Sequence, residues 1–154
     1  LNSNGRGKGI AIYFQKSKLS HKIDVNEENL QLSMFSGDVI DLVVLYRSQS
    51  GCHGVIIETI ETMLDEDKPI LVIGDFNFCY SDKFSNLTGR YLHQNNFRQL
   101  VKEPTQIEGN LIDQAHVRDA SGVHQYSGEL HSKYYTDHKG IAVLIKRLVI
   151  GICF

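Results

Sequence analysis

The chain is short of cysteine, proline, net charge and long apolar runs, and each shortage excludes something. Its cysteines are three, Cys52, Cys79 and Cys153, an odd number with no metal-ligand spacing. That argues against a disulfide framework and a cysteine zinc site, and suits an intracellular setting, nuclear or cytoplasmic. The longest apolar run, residues 141–154, is broken by Lys146 and Arg147. It falls short of the roughly 20 residues that a membrane span needs, so no membrane partner is expected. Lys and Arg number 16 against 18 Asp and Glu, a net charge of -2, and the pI is about 6.4. That excludes a generally basic nucleic-acid binder and leaves room for a local basic groove. Prolines stand only at 69 and 104, and no linker or repeat is visible. With 154 residues beginning at Leu1, the expectation is a single domain, N-terminally truncated.

What is present is the composition of a folded domain, 42% apolar and 22% charged. Short apolar runs bounded by turn residues predict strands at 9–15, 30–35, 39–46, 70–73 and 140–146. Ser36-Gly37-Asp38 joins the second and third into a hairpin. Ile56, Ile60, Met63 and Leu64 follow a helical period that Lys68-Pro69 stops, and a second helix is expected over 87–95. Residues 111–117 and 123–130 read as a hairpin around Asp119-Ala120-Ser121-Gly122. Glu27 and Glu28 fall in a polar loop, and 148–154 would extend the last strand or be cut mid-element. Arg6, Lys8, Lys16, Lys18 and Lys22 read as a strand edge guarded by lysines, in preference to a phosphate-contact surface. The pattern predicts an α/β fold, a layered sandwich of two mixed β-sheets flanked by helices.

Three acidic clusters lie where apolar strands end: GDFN (74–77), LID (111–113) and TDH (136–138). Rigid strands followed by exposed loops are where a layered fold presents functional groups. Asp and Asn oxygens suit Mg2+, with Mn2+ as its substitute, and a histidine titrating near neutrality can orient or activate water. Together they describe metal-assisted attack of water on a phosphate ester. The plainer readings are a turn for GDFN and a loop terminator for Asp137. Asp113, among Leu111, Ile112 and Ala115, is costly to bury unpaired and resists a plain reading. Tyr46 is a strand-end residue with an amphipathic side chain, and Arg47 is a generic phosphate binder by charge and fork geometry. Of the other histidines only His131, close to the TDH loop, merits a test.

IGDFN, NLID and YYTDHKGIAVLI, in that order, resemble the second half of the endonuclease/exonuclease/phosphatase superfamily. LVVLYR (42–47) resembles the family strand that ends in Tyr, and GRGKGIAIYF (5–14) the Gly-rich approach to an earlier strand. YRSQSG, KEPTQIEGNLID and YYTDH most resemble the endonuclease domains of transposable elements, of the non-LTR retrotransposon and Helitron-like kinds. The resemblance implies a Mg2+-dependent phosphodiesterase acting on DNA or another phosphoester. It implies that Asp75 orients or deprotonates the attacking water, that Asn77 holds the scissile phosphate and that Tyr46 contacts it. His138 would sit against the phosphate, oriented by Asp113, and Asp137 would be a metal ligand. The family also carries an upstream Glu that ligates the metal, and residues 1–9 contain no acid to supply it. A phosphatase or phospholipase-like member, or a non-catalytic remnant, are the alternatives.

Overall fold

The computed structural model describes residues 18–64, 68–132, 136–145 and 148–152. The strand expected at 9–15, with Arg6, Lys8 and Lys16, lies outside them. Strands β1 (Leu19–Glu27), β2 (Leu30–Gly37) and β3 (Asp41–Arg47) are followed by helix α1 (His53–Glu61) and strand β4 (Ile70–Asp75). A single 3-10 turn (Tyr80–Asp82), helix α2 (Leu87–Gln94) and the two-residue strand β5 (Arg98–Gln99) come next. The chain then runs through β6 (Asp113–Arg118), β7 (Tyr126–His131), β8 (Gly140–Ile145) and β9 (Leu148–Ile152).

Among the described residues six strands form one sheet in the order β1-β2-β3-β4-β6-β5, and three form a second, β7-β8-β9. The large sheet is mixed: β3 and β4 run parallel, joined by α1 as crossover, and its other pairs are antiparallel. Both pairs of the small sheet are antiparallel. The fold is α/β, two packed sheets with helices on the outer face of the larger.

Strand alternation builds this layering. Leu42, Val44, Leu71, Ile73, Ala115 and Val117 pack with Ile141, Val143 and Ile145 of the small sheet. Their neighbours Val43, Leu45, Ile70 and Val72 pack on the other face with Ile56 and Ile60 of α1 and Leu92 of α2. A strand covered on both faces reads as a continuous apolar run, as β3 and β4 do. Asn86 caps α2 by accepting a hydrogen bond from the Gly89 N–H at 3.3 Å. Among the described residues no helix is long and apolar enough to cross a membrane.

Two local expectations are corrected. Residues 19–27 form a strand, and Glu27 closes it where a polar loop was expected. Among the described residues it pairs with β2 alone, and its side chains are mostly exposed, which gives it the polar pattern that hides it. Residues 111–130 are not a hairpin: β6 pairs with β4 and β5, whereas β7 pairs with β8 in the other sheet. The turn between them carries the chain across the sandwich. The Asp119 carboxylate organises it, accepting from the Ser121, Gly122 and His124 N–H groups and from the Tyr126 hydroxyl.

Candidate active site

The register places three polar residues side by side at one end of the large sheet. Asp75, the last residue of β4, lies opposite Tyr46 on β3 and opposite Asp113, the first residue of β6. Alternation turns all three toward the small sheet: position 75 continues 71 and 73, position 113 leads into 115 and 117, and 46 follows 42 and 44. The small sheet supplies the fourth group. The residues leading into β8 carry His138 over the same edge, and its Nδ1 lies 2.9 and 3.1 Å from the two Asp113 carboxylate oxygens.

Close strand contact is built into this end. A Cβ on Gly74 would lie 1.8 Å from the Leu45 carbonyl oxygen, so β3 approaches β4 beside Asp75 as only glycine permits. After Asp75 the chain turns sharply, with Asn77 at φ 52°. Asn adopts this left-handed conformation more readily than most residues. The turn brings the Asn77 N–H to an Asp75 carboxylate oxygen at 2.9 Å.

Asp113 is 0% exposed and Asp75 5%. Burial, then the neighbouring Asp113 charge, pushes Asp75 from the ordinary 3.8 up to about 6, against the Asn77 N–H, His138 and Arg47. Burial likewise raises Asp113, opposed by His138 and by a hydrogen bond from Thr105. For His138 burial acts downward, but the carboxylates of Asp113, Asp75 and Asp137 outweigh it and its pKa is raised. With Nδ1–H donated to Asp113, His138 keeps Nε2 for an external group. Burial and the Asp75 charge raise the Tyr46 hydroxyl.

Ligand atoms of Asp75, Asp113 and His138 all lie within 4.8 Å of one another, the one such group among the described residues. Asp113 and His138 are committed to each other. Asp75 is not: one N–H donor serves two ionised oxygens, and a second carboxylate stands beside it. Such an acid fits a hard divalent cation that accepts one or two protein carboxylates and keeps its waters. Asp137 lies outside the group; it is exposed, and its carbonyl accepts from the Ile107 N–H at 3.0 Å.

The remaining candidates fall elsewhere. Arg47 is corrected: it shares the parity of Val43 and Leu45 and points toward the helices. Its guanidinium donates to the Gly51, Phe76 and Gln49 carbonyls and meets His53 Nε2 at 3.0 Å. It is a buried tie, with no donor set facing the site. His131, exposed, closes β7 opposite Gly140. Sequence reasoning missed Thr105. It is fully buried, and its Oγ1 accepts from the Ile112 and Asp113 N–H groups at 3.2 and 3.0 Å. The only signal was its place between Pro104 and NLID.

Two packed sheets with this strand order define an endonuclease/exonuclease/phosphatase-type fold. Solved structures that share it include CdtB, the biologically active subunit of cytolethal distending toxin, with a TM-score of 0.59 and 13% identity over 81% of this chain and 55% of that one. The Haemophilus ducreyi cytolethal distending toxin gives 0.59 and 17% identity over 84% of this chain and 57% of that chain. The endonuclease domain of TRAS1, a telomere-specific non-LTR retrotransposon, gives 0.55 and 14% identity over 82% and 66%. The chain thus spans 55–66% of the length of these structures. No protein-family model and no curated protein matches it.

Proposed function

We propose that the chain is a divalent-metal-dependent phosphodiesterase that cleaves DNA, of the kind that serves transposable elements as an endonuclease. The observation that carries this is the pair of buried Asp113 and half-buried His138 set beside Asp75 at one sheet end. The likeness of fold to an endonuclease domain supports it.

The roles follow from the geometry. Asp75 is ionised near neutrality yet basic enough to orient and deprotonate a water, because its pKa is raised to about 6. His138, held charged by Asp113, offers Nε2–H to a phosphoryl oxygen and stabilises charge developing there. Tyr46, next to Asp75 on the same face, adds a neutral hydroxyl donor. Asn77, in the turn directly after Asp75, would hold the scissile phosphate through its amide. A divalent ion, Mg2+ or Mn2+, would be held by Asp75 with Asp137 at the rim, and would polarise the phosphoryl oxygen.

The test is nicking of supercoiled plasmid in Mg2+ or Mn2+. Slow, EDTA-sensitive nicking is expected, lost in Asp75→Ala and in His138→Ala. Equal nicking by wild type and both variants would refute the reading, as would nicking unaffected by EDTA.

A further inference from the structure

Thr105 is the point at which the two halves of the Asp113–His138 pair are joined. Asp113 opens a strand of the large sheet, and His138 leads into a strand of the small one. Without a fixed link, sliding of one sheet over the other would change their distance. The segment from Thr105 to Ile107 grips both sides. Toward Asp113, the Thr105 Oγ1 accepts the N–H groups of Ile112 and Asp113, at 3.2 and 3.0 Å. Toward His138, the Thr105 carbonyl accepts the Lys139 N–H at 2.8 Å, Gln106 bridges to His138 and the Ile107 N–H reaches the Asp137 carbonyl at 3.0 Å. The Thr105 N–H is itself fixed, donating to the Asn110 carbonyl at 3.0 Å.

A hydroxyl is required there. It has two lone pairs for the two N–H donors and one hydrogen left over. Bound through both of these N–H groups, the start of β6 holds the Asp113 carboxylate, the same group that meets His138, at a fixed place.

We propose that Thr105 is a positioning residue that fixes the Asp113 carboxylate against the His138 ring, aiming Nε2 across the gap between the sheets. This deepens the phosphodiesterase reading, but its geometric part does not depend on it.

The experiment is NMR of the His138 Nδ1–H proton, assigned by its disappearance in His138→Gln, in wild type, Thr105→Ser and Thr105→Val. Serine keeps the hydroxyl; valine keeps the shape and removes it. The downfield resonance should persist in Thr105→Ser and shift upfield or vanish in Thr105→Val, with the backbone amide spectrum otherwise native. An unchanged resonance in folded Thr105→Val, or its loss in Thr105→Ser, overturns the proposal. Should Thr105→Val not fold, Thr105→Cys replaces it, with a weak donor and acceptor in the same place. On DNA, Thr105→Val should lower kcat about tenfold or more, as misplacement of a catalytic group does, with KM within about twofold. A raised KM at unchanged kcat would also overturn it. Failure of the nuclease reading would appear as inactivity of wild type and leave the NMR result standing.

Discussion

The His138 ring nitrogen Nδ1 lies 2.9 Å from one carboxylate oxygen of Asp113 and 3.1 Å from the other, although Asp113 begins a strand of the large sheet and His138 leads into one of the small sheet. The pair is both a site element and a clasp across the sandwich. The carboxylate is fully buried, so its charge acts on the imidazole with little screening from water.

That contact makes Asp113→Asn informative. An amide keeps the shape and removes the charge that raises His138, so the His138 pKa should fall in an NMR titration. The linked stability has a definite sign. His138 binds its proton more tightly when folded, so its contribution is full below the ordinary value of about 6.5 and is lost as pH rises through the raised one. Asp113→Asn should flatten that part of the stability profile. An unchanged His138 pKa would mean that the pair does not form in solution.

Arg47 bears on stability and not on substrate. Its guanidinium ties three backbone carbonyls, one of them at Phe76 beside the site. A lysine ammonium cannot span that fork. Arg47→Lys should cost about 2–4 kcal/mol in urea unfolding, as lost charge-assisted hydrogen bonds do. DNA affinity of the folded variant, measured by fluorescence anisotropy, should stay within about twofold, because no donor is removed from the substrate face. A large loss of affinity with stability intact would return Arg47 to the phosphate site.

Gly74 allows a second separation of packing from chemistry. A Cβ there would meet the Leu45 carbonyl at 1.8 Å, backbone against backbone. Gly74→Ala should cost about 3–5 kcal/mol and abolish activity by moving Asp75. Gly54→Ala is the control: in α1 its Cβ meets only the Cys52 Sγ, at 3.7 Å. It should be neutral or stabilise by up to about 1 kcal/mol. Equal melting shifts for the two would show that β3 and β4 have room.

Much of this was legible in the chain, and the reasons for the exceptions are physical. Apolar runs such as that of β4 announce strands buried on both faces, and the helical period of Ile56 and Ile60 announces α1. The polar end of β4 announces where chemistry is placed. Strand β1 hides because its side chains are mostly exposed, so Glu27 and its neighbours look like loop. The crossing after Arg118 hides because a turn between two strands does not say which sheet the second one joins. Alternation alone would have shown Arg47 turned from the site, since it shares parity with Val43 and Leu45. Thr105 left almost no trace, for one hydroxyl in a polar loop does not reveal that two strands meet on it.

Asp75 carries the sharpest trade between stability and function. Its carboxyl titrates near 6 when folded against an ordinary 3.8, because burial and the Asp113 charge oppose its ionisation. The stability linked to this group is therefore full below the unfolded value and lost as pH rises through the folded one. A rise of that size costs the fold about 3 kcal/mol at neutral pH. Asp75→Asn keeps an oxygen for the Asn77 N–H and removes the charge. In EDTA it should be more stable than wild type by up to about 3 kcal/mol near neutrality, and the difference should close below about pH 4. Mg2+ added at neutral pH should raise the melting temperature of wild type and leave Asp75→Asn unmoved, because a ligand that binds only the folded state stabilises it. The variant should not nick plasmid. Equal stability of the two proteins at every pH would show that the Asp75 charge costs the fold nothing, and equal stabilisation by Mg2+ would place the ion on other groups.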